Sequence, residues 1–268
     1  MKINNKNKYE YTILRPGGND QMLIKGIGPK NKRRKINDEM IKRFPSVEQV
    51  SFFEYDQKNK KATLELAGGE FCGNATRSLA YLLLQGNIGE IKIKVSGTTI
   101  SLNAGIRQKA TAFAQMPVSN LKSVKKFQPN LFRVDLEGIT QLVYLQNKPV
   151  EKDLKQYAFE ILKKQNLIYS VPAAGVMFIS EKEQFIDLQP VVWVRDIETL
   201  LYETACASGT AAVGIWKALQ TKEKSAKVKV LQPTGKFIEA EVTKNESNGL
   251  EVYIDGEIEI LKKGVENL

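Results

Sequence analysis

The chain has 268 residues, 42% of them hydrophobic and 26% charged, enough apolar material for one large domain or two smaller ones. It holds no histidine and only two cysteines, which excludes a Ser-His-Asp or Cys-His nucleophile pair, a His-ligated metal and a zinc site closed by cysteines. The formal charge is +10, yet its lysines and arginines are spread along the chain and no RNA-binding or helix-turn-helix signature accompanies them, so nucleic-acid binding is not expected.

In chain order, the start "MKINNKNKYEYTIL" is polar and lacks the apolar stretch and cleavage site of a signal peptide. No apolar run reaches the ~18 residues of a membrane span. Two cysteines are a poor staple for a secreted chain of this size, so a cytoplasmic protein with free thiols and no membrane contact is expected. "YTILR" and "QMLIKG" read as strands, and "KNKRRK" (Lys30 to Lys35), the one basic cluster, as a solvated loop. Helical spacing follows in "INDEMIKRF", then strands in "VSFFEYD" and "ATLELAG", then a helix after Cys72. "IKIKVSG", "TTISLNA" and "ATAFAQM" return to strand, and Gln115-Met116-Pro117 marks a crossover. The second half repeats the plan with "FRVDLEG", "TQLVYLQN", a helix in "EKDLKQYAFEILKKQN" capped by Asp153, then "AGVMFIS" and "QPVVWVRD". After Cys206 come another helix and the strands "KVKVLQP", "FIEAEVT" and "LEVYIDGEIEIL".

The expectation is an α+β fold of two pseudo-symmetric lobes, each a strand-rich sheet around a central helix, with a cleft between them. Residues 1–115 form the lobe with Cys72 and 116–254 the lobe with Cys206, and the segment from about 255 to 268 returns to the first lobe.

The two cysteines stand in matching settings, "CGNATRSLAYLLLQ" and "CASGTAAVGIWKALQ". Each precedes small residues and an apolar helix, so each opens on a first turn whose N–H groups have no partner inside the helix. Such a turn favours a thiolate and binds a carboxylate. Two of them facing one another make a carboxylate site flanked by thiols, the arrangement that inverts an amino acid with one acid and one base. The N–H groups would stabilise the carbanion-like transition state without a cofactor or metal. Two other readings remain open from the residues alone. Each cysteine can be a small buried apolar residue, or the two can form a redox pair, although there is no C-x-x-C.

Four stretches resemble the diaminopimelate epimerase family of cofactor-independent racemases and epimerases: "GGND" (Gly17 to Asp20), "EQV" (Glu48 to Val50), "CGNATR" and "ETACASGTA". The resemblance spans residues 17 to about 235 and implies that family's two-lobed fold. It implies that Cys72 and Cys206 are the acid–base pair. Gly73, Asn74, Ala207 and Ser208 would hold the substrate α-carboxylate through backbone N–H groups and the Asn and Ser side chains. Asn19 and Gln49 would line the cleft, and Glu203 would meet the substrate ammonium or side chain. Gly17 and Gly18 are expected as turn formers, and Arg77 as a helix-surface or ion-pair residue.

The departures narrow the substrate. The family's arginine fork for a distal carboxylate is missing, since "RDIETLLYETAC" carries Thr199 and Leu200 there. What remains resembles the branch of histidine racemases that supply D-histidine to opine-type metallophores: "EFCGNAT", the run from Gln184-Phe185 to Gln189-Pro190, Tyr202 before Glu203, "SGTA" and "LQPTG". The expected partner is a small-molecule amino-acid substrate, with a homodimer plausible from the family. Diaminopimelate epimerase is the alternative within the family, ahead of proline-type racemases. A phenazine-type isomerase, which shares the fold but lacks the cysteine pair, a thiol redox protein and a non-turnover amino-acid-binding protein are the other classes.

Overall fold

The computed structural model of the protein describes residues 8–118, 124–146, 153–246 and 249–268; most of the polar start, residues 1–7, lies outside them. The first half runs β1 (Lys8–Pro16), β2 (Asp20–Lys25), α1 (Lys30–Arg43), β3 (Val47–Asp56), β4 (Lys61–Leu66), α2 (Gly73–Leu84), β5 (Gly89–Val95), β6 (Ser101–Ile106) and β7 (Thr111–Gln115). The second half runs β8 (Val124–Gln128), β9 (Leu131–Leu136), β10 (Ile139–Leu145), α3 (Leu154–Lys164), α4 (Leu167–Ser170), β11 (Ala173–Glu181), β12 (Ile186–Val194), β13 (Thr199–Tyr202), α5 (Ala207–Ala218), β14 (Ser225–Leu231), β15 (Phe237–Lys244) and β16 (Leu250–Asn267). The class is α+β, as the sequence indicates.

Period-two alternation makes the strands. In β5, Ile91, Ile93 and Val95 are buried while Glu90, Lys92 and Lys94 face solvent, and β14 buries Val228 and Val230 while exposing Lys227 and Lys229. Much of the positive charge therefore lies on the wet faces of strands. The pairing order is β1 through β7, then β16, β15, β14, β12, β11, β10, β9 and β8, with β13 on β12. An additional pairing of β1 with β16 closes β1–β7 and β16 into a ring. The long β16 serves both halves, pairing with β15 and β7 over its first part and with β1 over its last.

α2 packs against β1, β2, β5, β6, β7 and β16, and α5 against β9, β10, β11, β14, β15 and β16. Both helices are buried on nearly every side, α2 over residues 73–80 and α5 over 207–216, as befits a helix enclosed by other elements. Leu79 and Ala80 of α2 and Ala211, Val213 and Ile215 of α5 belong to one continuous core. Space around α5 is tight: a Cβ on Gly214 would lie 2.5 Å from the Ala240 Cβ.

The structure changes one local expectation. The cluster Lys30 to Lys35 is not a loop but the first turns of α1, entered from Pro29 at the N-cap. Arg33 lies on the same face as the buried Ile36, Asn37 and Met40, and its Nη1 donates to Glu65 Oε2 at 2.8 Å. The helical period extends back through the basic residues because one of them has a carboxylate under it. Asp153 caps α3 as expected, its Oδ1 accepting from the N–H groups of Lys155 and Gln156 at 2.8 and 3.1 Å.

Candidate active site

Cys72 and Cys206 are the N-caps of α2 and α5. Both have extended backbone, with φ and ψ of −137° and 113° at Cys72 and −122° and 108° at Cys206. The Cys72 Sγ accepts the N–H of Ala75 at 3.4 Å, and the Cys206 Sγ accepts that of Gly209 at 3.2 Å. A threonine four residues on donates back to each cysteine carbonyl, Thr76 at 2.7 Å and Thr210 at 2.8 Å. The sulfur thus takes the place that an oxygen usually holds at a helix start.

The two helix starts meet: a Cβ on Gly73 would lie 3.0 Å from the Ala207 Cβ. Both cysteines line one narrow cavity of about 30 Å³. Asn19, Gln49, Gly73, Asn74, Glu203, Ala207 and Ser208 line it too, so all nine residues singled out from the sequence come together. Among the described residues lining it there is no lysine or arginine. A far larger groove, about 1220 Å³, lies at the other end of α2 beside Leu82 and Leu83 and contains no cysteine.

Several side chains are already committed to one another. Asn74 Nδ2 donates to the Ala205 carbonyl at 2.9 Å and its Oδ1 accepts from Arg77 Nε at 3.1 Å, so its backbone N–H is what it has left to offer a carboxylate. Asn19 donates to Glu48 Oε2 at 2.5 Å and accepts from Gln21. Gln49 Nε2 donates to Glu70 Oε1 at 2.6 Å. Ser208 Oγ accepts from Gln141 Nε2 at 2.8 Å and lies 3.5 Å from Cys206 Sγ. The Cys206 N–H donates to Gln232 Oε1 at 2.9 Å.

The electrostatics differ from the expectation of thiols activated by their helices alone. Burial pushes the Cys72 thiol up to about 12, and the charges of Glu203 and Glu70 add to this against the N–H groups that stabilise a thiolate. Cys206 is pushed up as well, by burial and then by Glu203, which is hydrogen-bonded to it. Glu203 itself is raised to about 8, mainly by burial, and burial likewise raises Glu48 and Glu70. The cavity as it stands favours protons on its acids, because removing water penalises every anion and three carboxyl groups crowd one another.

Sequence reasoning missed Glu48, Glu70, Thr204, Gln21, Gln141 and Gln232 as members of this network. Glu48, Glu70, Thr204 and Gln232 stood inside quoted motifs, "EQV", "EFCGNAT", "ETACASGTA" and "LQPTG"; Gln21 and Gln141 carried no motif signal. Of the two expectations for Arg77, the helix surface is overturned, since the side chain is fully buried, while Asp255 acts on it electrostatically as an ion-pair role would have it. Gly17 and Gly18 do form the turn into β2, with φ of +69° and +110°, and a Cβ on Gly18 would lie 2.3 Å from Thr234.

Compared with known proteins, residues 8–266 match the family described as "Histidine racemase CntK N-terminal domain". The chain belongs to the histidine racemase family. A histidine racemase of Fusobacterium nucleatum (strain ATCC 23726) is 30% identical over 272 residues, covering 95% of each chain. Among solved structures, a phenazine biosynthesis protein of the PhzF family from Bacillus anthracis superposes with a TM-score of 0.67 at 13% identity, over 98% of this chain and 99% of that one. A probable proline racemase from Agrobacterium radiobacter K84 gives 0.64 at 13% identity, over 97% and 92%. These likenesses show the fold, and the family makes the protein an amino-acid racemase, an isomerase. Among the described residues no helix is long and apolar enough to cross a membrane.

Proposed function

We propose that the protein racemises histidine by a two-base mechanism, Cys72 serving one face of the α-carbon and Cys206 the other, in a site where two lobes close on the substrate. The observation that carries this reading is the pair of matched N-cap cysteines opening on one cavity. The thiolate on one side takes the α-proton, the thiol on the other delivers one, and the roles exchange for the reverse direction. The first-turn N–H groups of Gly73, Asn74, Ala207 and Ser208 grip the carboxylate and stabilise the charge that builds on it. No cofactor is needed for these steps.

The carboxyl groups suit histidine. An ammonium and an imidazole bring positive charge and N–H donors to Glu203 and Glu70, which offsets the burial that raises both acids when the site is empty. The same set repels the distal carboxylate of diaminopimelate, which has no cation to meet it. At about 30 Å³ the cavity holds on the order of two waters, so the helix starts must separate to admit an amino acid. The same reading has the enzyme work in the cytoplasm and pass D-histidine to assembly of an opine-type metallophore.

Purified protein incubated with L-histidine or LL-diaminopimelate in deuterated water tests the assignment. Deuterium should enter the α-position of histidine, with D-histidine appearing, and not that of diaminopimelate. Exchange with diaminopimelate alone would overturn the substrate, and exchange with neither would overturn the racemase mechanism.

A further inference from the structure

Ser208, two residues after Cys206, accepts a hydrogen bond from Gln141 Nε2 at 2.8 Å and lies 3.5 Å from Cys206 Sγ. Gln141 belongs to β10, two residues from Ile139, which lines the cavity, so both side chains point to the face on which α5 packs. The glutamine has no exposed surface. Gly175 on the neighbouring β11 makes room for its amide, since a Cβ there would lie 2.3 Å from Gln141 Oε1. That oxygen has no hydrogen-bond partner. A buried amide with an idle oxygen costs stability, and its nitrogen is committed to Ser208.

An amide nitrogen donates and does not accept, so Ser208 Oγ is the acceptor in that bond and its own hydrogen is free for another partner. Cys206 Sγ is that partner. The sulfur already takes the N–H of Gly209 at 3.2 Å, and Gln141 turns the hydroxyl into a second donor to it. The titratable groups around Cys206 are Glu203 ahead of it, Cys72 and Glu70 across the cavity, and Glu48 behind Thr204. All are neutral or negative. With no lysine or arginine among the described residues of the cavity wall, charge on this sulfur is met by N–H and O–H groups. The other helix start differs at the matching position. Asn74, two residues after Cys72, sends its side chain to the Ala205 carbonyl and to Arg77 rather than to Cys72 Sγ.

We propose that Gln141 is a positioning residue of the reaction: it orients the Ser208 hydroxyl so that the hydroxyl hydrogen is held against Cys206 Sγ whenever that sulfur carries charge. This rests on the two-cysteine reading above. When Cys206 delivers its proton to the α-carbon, the S–H bond breaks, a C–H bond forms, and the electron pair of the S–H bond stays on sulfur. The Gly209 N–H and the Ser208 O–H meet that charge, and the serine keeps its proton. In the reverse direction the same two donors hold the Cys206 thiolate until it takes the α-proton. The hydroxyl of Ser208 is thus committed to the sulfur, and its backbone N–H is what remains for the substrate carboxylate.

The test is the midpoint, in pH, of Cys206 alkylation by iodoacetamide, read by mass spectrometry on the full chain carrying Cys72→Ser. Ser208→Ala should raise that midpoint by about one unit and Gln141→Leu by about half a unit, the worth of one hydrogen bond to a charged group and of its orientation. In the Ser208→Ala protein, Gln141→Leu should add nothing, because it acts through the hydroxyl. On a Cys206→Ser background, Gln141→Leu should leave the Cys72 midpoint in place. An unmoved Cys206 midpoint in folded Gln141→Leu, an equal shift with and without the serine hydroxyl, or an equal shift at Cys72 overturns the proposal. If Gln141→Leu does not fold, Gln141→Met replaces it, and Ser208→Ala tests the link to sulfur by itself, an unchanged midpoint again overturning the proposal. With both cysteines present, Gln141→Leu should lower kcat for histidine and leave KM nearly unchanged. A rise in KM alone assigns the hydroxyl to the carboxylate and overturns the proposal. Alkylation needs no turnover, so failure of the racemase reading shows separately, in the α-proton exchange assay on unaltered protein.

Discussion

The two helix starts, Cys72 on α2 and Cys206 on α5, share backbone angles, a sulfur that accepts an N–H, and a threonine that donates back to the cysteine carbonyl. They differ in what surrounds the sulfur. Cys72 keeps part of its surface open, whereas Cys206 is buried against Glu203 and Ser208. Local geometry makes the two thiols interchangeable, and the groups brought to them from other parts of the chain make them unequal. An enzyme that must work on both faces of one carbon needs the first property. A defined resting state needs the second.

The largest effect should come from breaking the pair. Cys72→Ser and Cys206→Ser should each lower racemisation by about 10²–10⁴-fold, the usual worth of a positioned acid or base. Each should leave exchange on one face at most, followed by deuterium uptake starting from each enantiomer. Equal residual turnover with both variants' cysteines replaced at once would undo the comparison.

Crowding each helix start comes next. Gly209→Ala puts a Cβ 2.1 Å from Met177 Sδ and 3.1 Å from Cys206 Sγ, and should cost about 1–3 kcal/mol in stability by overpacking. Gly73→Ala, 3.0 Å from the Ala207 Cβ and 3.2 Å from Met116 Sδ, should act on closure, lowering kcat/KM more than thermal stability. Denaturant melts set beside kinetics separate the two; a Gly73→Ala protein with unaltered kinetics would show that this contact is idle.

Glu203 sharpens the electrostatic side. Its folded-state value is raised to about 8, above the ordinary carboxylate range, so folding favours its protonated form. The stability it confers is complete below the unfolded value near ~4.5 and is lost as pH rises toward 8. The unliganded protein's melting temperature should therefore fall across that window, and Glu203→Gln should flatten the fall. A steeper fall in the variant contradicts the sign. Histidine should flatten it too, by meeting the carboxylate with a cation.

The smallest effect tests the matched threonines. Thr76→Val and Thr210→Val each remove one hydrogen bond to a cysteine carbonyl and should cost about 1 kcal/mol apiece in urea melts. Thr210→Val should cost more, because Gln232 Nε2 also bonds to that hydroxyl at 3.0 Å and would be left without it.

The cysteine settings, the strands and the enclosed helices were legible because each is written in a local pattern: small residues after a thiol, period two, or helical spacing. β13 was not, since its four residues carry no alternation of burial, and neither was the start of α1, where basic residues hid the helical period. At the candidate site, the residues within quoted motifs were legible by type. Their commitments were not: Asn74 read as a carboxylate ligand, yet its side chain is held by Ala205 and Arg77. Gln141 and Gln232 reach Ser208 and Cys206 from 67 and 26 residues away, and no spacing rule joins them.

By itself the sequence determined that this protein has two equivalent thiol-capped helices, no histidine to serve as a base, and a positive charge spread along the chain, because side-chain type and short-range periodicity suffice for each. Only the tertiary structure decided that both thiols share one cavity with the carboxyl groups of Glu70 and Glu203, and that the arginine of the first motif is buried against Asn74. Proton affinity depends on which charges lie within a few ångströms and how much water is removed, and folding sets both.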